Sequence, residues 1–190
     1  MNNKRKGLTC LTILLIGVLF FTLQAQQKTD IRRADFSGEW KSKESISMDG
    51  NIVCSYDEGD RMLADFMKIS QQENTLNIEV SSSFPGKAPV AGQETLTFDG
   101  KEIQINHGPE RGKKYSTNWS ADGETMTVNS VVHLMIHNPY KENPREQMLV
   151  YVTEVWKLSN DGQSISIQAK AKADMFGEER SWTTVFDKVY

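Results

Sequence analysis

Three histidines are the first residues whose type and spacing suggest chemistry. His133 and His137 stand four positions apart in "HLMIH", the spacing with which two imidazoles bind one zinc ion on a helix. The alternating apolar residues around them predict a strand instead, and four residues of strand separate two Cα atoms by about 13 Å. One ion cannot be held across that distance. We therefore predict no metal site at this pair or at the third histidine, His107.

Acidic and thiol groups give the next candidates. "DEGD" at 57–60 clusters the oxygen ligands that calcium prefers, but its spacing is not that of an EF-hand, and we interpret it as a solvated loop. Cys54 has neither a basic neighbour nor a local histidine to activate it, so we expect a small buried residue. Nucleophile elbows, phosphate loops and Cys-x-x-Cys pairs are missing from the sequence. These observations favour a protein that is not an enzyme and that uses no cofactor.

Glu154 is the most informative charged residue. In "YVTEVWKL" it alternates with Val152 and Trp156, which places it on the apolar face of a predicted strand. A charge on an apolar face needs a partner. One interpretation is an ion pair with Arg180 or another cation, and the other is a polar anchor at the base of a ligand pocket.

Most of the chain reads as strands joined by tight turns. Asp-Gly pairs at 99–100, 122–123 and 161–162 are each flanked by alternating apolar residues, and Asp-Gly favours two-residue hairpin turns. A fourth turn is predicted at 73–74. The inward-facing set is rich in large side chains: Trp40, Phe98, Tyr115, Trp119, Trp156, Trp182 and Phe186.

The remaining segments break the strand pattern. Proline and glycine predict longer loops in "SSSFPGKAPVAG" at 81–92 and "HNPYKENPREQ" at 137–147. "DEGDRMLADFMK" at 57–68 is the one candidate for a short helix, which would place Phe66 and Met67 on the same side. We predict an all-β fold in which an antiparallel up-and-down meander of about eight to ten strands closes into a barrel, with a two-sheet β-sandwich as the alternative.

The first residues resemble an export signal. Lys4 to Lys6 are basic, an apolar stretch follows from Leu8 to Leu23, and Ala25 provides a small residue at the expected cleavage point. We predict a signal peptide at 1–25, a short linker at 26–34 and a single domain at 35–190. The mature protein would be periplasmic or secreted, without a stable membrane anchor.

The net charge of the chain limits the classes of partner that it can bind. The formal net charge of the whole chain is −3, and removal of the basic leader would make it more negative. Nucleic acids and anionic membrane surfaces require a basic footprint, so we expect neither as a partner.

The start of the first predicted strand carries a family resemblance. "ADFSGEWK" resembles the Gly-x-Trp signature of the calycin group, which includes lipocalins, and "STNWSADGETMTV" and "TEVWKLSNDGQSISI" are similar to segments of small exported lipocalin-like bacterial proteins. The resemblance implies a barrel in which Trp40 closes one end, with Gly38 allowing close approach and Arg180 packing across the indole ring.

The resemblance also implies ligand binding. We expect a non-catalytic protein that holds a small, partly apolar or amphipathic molecule inside the barrel. The alternative is a structural or protein-interaction module of the bacterial envelope with a packed interior. The candidate ligand contacts are six inward-facing residues: Phe98, Tyr115, Trp119, Glu154, Trp156 and Trp182.

Overall fold

The strands are set by the period-2 pattern and by the turns between them. The computed structural model describes residues 32–43, 64–83, 89–106, 111–137, 145–175 and 178–189. Ten strands lie in these ranges: β1 (Gly38–Ser42), β2 (Phe66–Gln71), β3 (Thr75–Ser82), β4 (Val90–Thr97), β5 (Ile103–Asn106), β6 (Arg111–Trp119), β7 (Thr125–His137), β8 (Arg145–Leu158), β9 (Ser164–Ala173) and β10 (Glu179–Lys188).

All ten strands belong to one antiparallel sheet in the order β4-β3-β2-β1-β10-β9-β8-β7-β6-β5. Every neighbouring pair is consecutive in the chain except β1 and β10, whose pairing joins the two ends of the meander. The sheet curls into a half-barrel. The all-β meander is therefore confirmed, and a single sheet argues against the sandwich alternative. From Arg33 onward the described residues belong to one compact unit.

The Asp-Gly turns behave differently from one another. Gly123 and Gly162 adopt the left-handed region with φ of 74° and 69° and join β6 to β7 and β8 to β9, as predicted. Gly100 also has a positive φ, of 70°, but β4 and β5 are not paired and form the two edges of the sheet. The predicted hairpin at 99–100 is wrong, because among the ten described strands β4 pairs only with β3 and β5 only with β6. The turn at 73–74 is confirmed, since Gln72 N donates to Thr75 O at 2.8 Å.

Two turns share a Ser-x-Asp-Gly arrangement. The Ser120 hydroxyl donates to the Asp122 carboxylate, and Ser159 donates to Asp161 at 2.6 Å. Each carboxylate also accepts a hydrogen bond from the backbone N–H two residues further along the chain. The serine hydrogen bond is the larger cause and the backbone hydrogen bond the smaller one, and together they hold the pKa of both carboxyl groups below the usual value. The charged form of each aspartate therefore stabilises its turn.

The inner face of the sheet carries the core, as the alternation predicts. Leu76, Ile78 and Leu96 on β3 and β4 are fully buried. The predicted helix is wrong at its end: Phe66 and Met67 begin β2, where they point to opposite faces, Phe66 45% exposed and Met67 buried. Strand β8 begins at Arg145, inside the loop predicted for 137–147.

Several predicted features lie outside the described residues. These are the leader at 1–25, Cys54, the acidic run at 57–60 and His107. Among the residues that the structure does describe, no helix is long and apolar enough to cross a membrane.

Candidate functional site

The Gly-x-Trp motif forms a packed end of the half-barrel. Trp40 is fully buried, and its Nε1 donates to the carbonyl oxygen of Phe36 at 2.9 Å. The Nζ of Lys188 lies 5.3 Å from the centroid of the indole ring. Gly38 makes room for this lysine, because a Cβ at that position would lie 3.0 Å from Lys188 Cε, and its φ of 145° is strained for any other residue.

The predicted role of Arg180 is therefore wrong. Arg180 is an exposed residue near the start of β10, opposite Ala171, whereas Lys188 at the end of the same strand is the register partner of Trp40. About eight residues of strand, or roughly 26 Å, separate the two cations. The family resemblance implied that Arg180 would cover the ring, but the strand register places Lys188 there instead.

Three of the predicted ligand contacts belong to this packed end. The Phe36 ring stacks on Trp119 with centroids 5.7 Å apart, and its edge meets Trp156 at 6.0 Å. Phe98 packs against Trp119 at 5.3 Å. Trp156 is fully buried, and Arg33 lies over the Phe98 ring at 5.1 Å. These rings fill the interior at the packed end.

Hydrogen bonds hold the segment before β1 against this end. Ala34 N donates to Gly123 O at 2.8 Å, and the Gln71 side chain accepts from Phe36 N at 3.0 Å. Gln71 Nε2 in turn donates to Ala34 O at 2.8 Å. Ordered contacts thus include Ala34 and, at the same end, Arg33, both of which lie in the predicted linker at 26–34.

Tyr115 takes part in a seam between the edge strand β4 and strand β6. Its hydroxyl donates to the backbone carbonyl of Thr95. Beside it, Lys113 Nζ lies 3.0 Å from Glu94 Oε1, and both side chains are only 15% and 17% exposed. Because no backbone ladder joins β4 to β6, these side chains supply the hydrogen bonds there.

A second group of inward-facing polar side chains lies farther along the sheet. We call Thr117, Ser130, Glu154 and Trp182 the polar layer. Thr117, Glu154 and Trp182 stand in one lateral row across β6 to β10, separated only by Val128 and Ala169. The fourth member, Ser130, is the next inward residue on β7. Glu154 and Trp182 were predicted contacts, and the fold brings them together with two hydroxyl groups.

Three atoms of the polar layer have no hydrogen-bond partner within the described protein. These are Thr117 Oγ1, Ser130 Oγ and Trp182 Nε1. Thr117 is 1% exposed and Ser130 is 4% exposed, so bulk water does not replace the missing partners. A buried polar group without a partner costs about 1–3 kcal/mol, and native proteins satisfy nearly all of them.

Glu154 is buried as predicted, with 3% exposure. Its Oε2 accepts a hydrogen bond from Trp156 Nε1 at 3.0 Å, which connects the polar layer to the packed end. The predicted ion pair with Arg180 is wrong, because Arg180 is exposed and makes no ion pair in the described part of the chain.

The chemistry of the polar layer suits binding. An indole N–H can only donate, a carboxylate can only accept, and a hydroxyl can do either, so a ligand with both donors and acceptors would complement the set. Neither hydroxyl bonds to a base within the described residues, and a serine or threonine nucleophile needs one.

The described residues contain no group of three or more metal-ligating side chains. The imidazole of His133 lies on the outer face, directly over Gly112, where an added Cβ would fall 1.9 Å from His133 Cε1. The His137 side chain lies outside what the structure describes.

Sequence reasoning missed Thr117 and Ser130 as site residues. Both stand at inward positions of their strands, so the signal was a hydroxyl residue where the alternation calls for an apolar one. Only the register shows that both residues lie next to Val128, which is the register partner of Glu154.

Comparisons with known proteins found no match to this chain. No family model matches the chain, and no curated protein or solved structure matches it either. The function is therefore inferred from this chain alone.

Proposed function

We propose that this chain is an exported, calycin-type barrel protein that binds a small, partly apolar molecule against the inner face of its sheet. The observation that carries the proposal is the polar layer, with three buried hydrogen-bonding atoms that have no partner in the described protein. A bound molecule with polar groups would satisfy them and offset their desolvation cost. The leader sequence and the Gly-x-Trp motif support export and the barrel type.

The surroundings of the polar layer favour a ligand with an apolar body. One apolar cluster includes Val128 and Ala169 of the same lateral row and extends from there to the packed end. A second apolar cluster lies on the other side and includes Val152 and Ala171. Trp182 contacts both clusters. Ala169, which stands between Glu154 and Trp182 in the lateral row, and Ala171, the next inward residue of β9, carry small side chains.

Native mass spectrometry of the gently purified protein tests the proposal. We expect an added mass that disappears on denaturation, either from the original host or after incubation with a host extract. In the double variant Thr117→Val with Ser130→Ala, we expect that mass to be lost or much reduced, because the ligand loses two hydrogen-bond partners.

The matched control is Thr127→Val, the same change on the outer face of β7. It should retain the added mass. Equal retention in the double variant and the control would contradict binding at the polar layer. A protein that shows no added mass from either source would contradict the proposed function and favour a module with a packed interior.

A further inference from the structure

The outer face of the sheet carries a groove on the side opposite the polar layer. It has a volume of about 480 Å³ and crosses strands β6 to β9. Two lateral rows of side chains form it. We call it the Tyr151 groove, after the residue that stands at its centre and is 49% exposed.

The floor of the groove is a row of short polar side chains. Ser116, Asn129 and Thr153 are successive register partners on β6, β7 and β8. Thr153 Oγ1 donates to Asn129 Oδ1 at 3.0 Å, which fixes the amide so that both of its N–H donors remain for another molecule. The floor therefore offers uncharged donors and acceptors at neighbouring strand positions, about 4.8 Å apart.

The second row places an aromatic ring beside a cation. Tyr151 lies between Val131 on β7 and Lys172 on β9. Lys172 makes no ion pair within the described residues, because Glu179, which is opposite it in the ladder, lies 3.7 Å from Lys170 instead. An exposed ring thus stands beside an ammonium group that has no ion-pair partner in the described part of the chain.

The charges at the two ends of the groove are already balanced. Lys114 lies 3.3 Å from Glu102 at one end, and Lys170 is paired with Glu179 at the other. Lys172 leaves the groove with one uncompensated positive charge. A nucleic acid or another polyanion needs several free cations, so the groove does not suit one.

A strand-adding peptide and a lipid chain fit the groove poorly. A peptide that binds by strand addition needs an open sheet edge, but the groove lies over strands whose backbone groups already pair with neighbours on both sides. A lipid chain would need an apolar floor, and this floor consists of two hydroxyl groups and an amide. A sugar ring has an apolar C–H face for Tyr151 and hydroxyl groups for the floor.

We propose that the Tyr151 groove binds an acidic oligosaccharide, with one sugar ring on Tyr151, its hydroxyl groups on the Ser116–Asn129–Thr153 floor and a carboxylate at Lys172. Ser130 of the polar layer also borders the groove, but the side chains that form this site point to the opposite face of the sheet from the Ser130 hydroxyl. We expect the loss of either site to leave binding at the other intact.

Isothermal titration calorimetry of the purified full chain tests this proposal with two probes. Cellobiouronic acid, a disaccharide with one carboxylate, is the acid, and its methyl ester has the same backbone without the charge. We expect the acid to bind and the ester to bind more weakly. Tyr151→Ala should lower the affinity for the acid by about tenfold, and Lys172→Gln should remove the preference for the acid over the ester.

Phe66→Ala is the matched control, because Phe66 is an exposed aromatic residue on β2 with Lys41 Nζ 5.6 Å from its ring centroid. It should leave both affinities unchanged. The proposal is overturned if neither probe binds at millimolar concentration, if Phe66→Ala weakens binding as much as Tyr151→Ala does, or if Lys172→Gln leaves the preference for the acid intact. Binding in the double variant of the polar layer should equal that of the wild type, which separates this site from the proposed function.

Discussion

Replacing Thr117 by valine should stabilise the ligand-free protein. The Thr117 side chain is 1% exposed and its Oγ1 has no partner in the described protein, so the folded state carries the cost of desolvating a hydroxyl group. That cost is about 1–3 kcal/mol. Valine has the same branched shape and a methyl group in place of the hydroxyl, so it removes the cost without creating a cavity.

The expected gain can be measured by urea denaturation of protein freed of ligand. We expect a rise of about 1–2 kcal/mol in the free energy of unfolding. For a chain of this size, each kcal/mol raises Tm by about 2–4 °C. Thr127→Val on the outer face of β7 should change stability by less than about 0.5 kcal/mol. Thr117→Val should also bind the ligand more weakly, because the buried hydroxyl group that it removes is a hydrogen-bond partner of the ligand.

A loss of stability would refute this reasoning. If Thr117→Val lowers the free energy of unfolding by about 1 kcal/mol or more, the hydroxyl group is hydrogen-bonded in the ligand-free native protein. The polar layer would then be a satisfied part of the core, and the main support for ligand binding there would be lost.

Three further predictions concern the packed end and the turns. Gly38→Ala should lower the free energy of unfolding by about 1–3 kcal/mol, because Gly38 has a positive φ and the added Cβ would contact Lys188 Cε. Gly162→Ala should cost less in the same urea titration, because the space around Gly162 is open. Lys188→Met should lower the free energy of unfolding by about 0.5–2 kcal/mol, because it removes the cation over Trp40. Arg180→Met should have no measurable effect. A larger loss in Arg180→Met than in Lys188→Met would mean that Arg180 is the true partner of Trp40. Asp161 has a lowered folded-state pKa, so its contribution is present above the unfolded value near 3.8 and is lost as pH falls through the folded value. Asp161→Asn should therefore lose stability at neutral pH but approach the wild type below pH 3.8 in acid titrations, and a constant difference at all pH values would contradict this.

The strands and most turns could be predicted from sequence because their causes are local. Alternation along β3 places Leu76 and Ile78 on one face whatever the partner strand is. The positive φ at Gly123 and Gly162 follows from the Asp-Gly pairs themselves. The same local signal failed at Gly100, because whether β4 and β5 pair depends on how the sheet closes.

The sequence by itself determined the all-β class, the inward face of each strand and the burial of Trp40 and Glu154. The tertiary structure decided which strands are neighbours, since the pairing of β1 with β10 brings together residues almost the whole domain apart. That pairing selected Lys188 over Arg180 as the cation on Trp40. The ladders from β6 to β10 assembled the polar layer and, on the opposite face, the Tyr151 groove. The physical reason is that period 2 fixes the face of a side chain, whereas its neighbours across the sheet depend on register, which long-range packing sets.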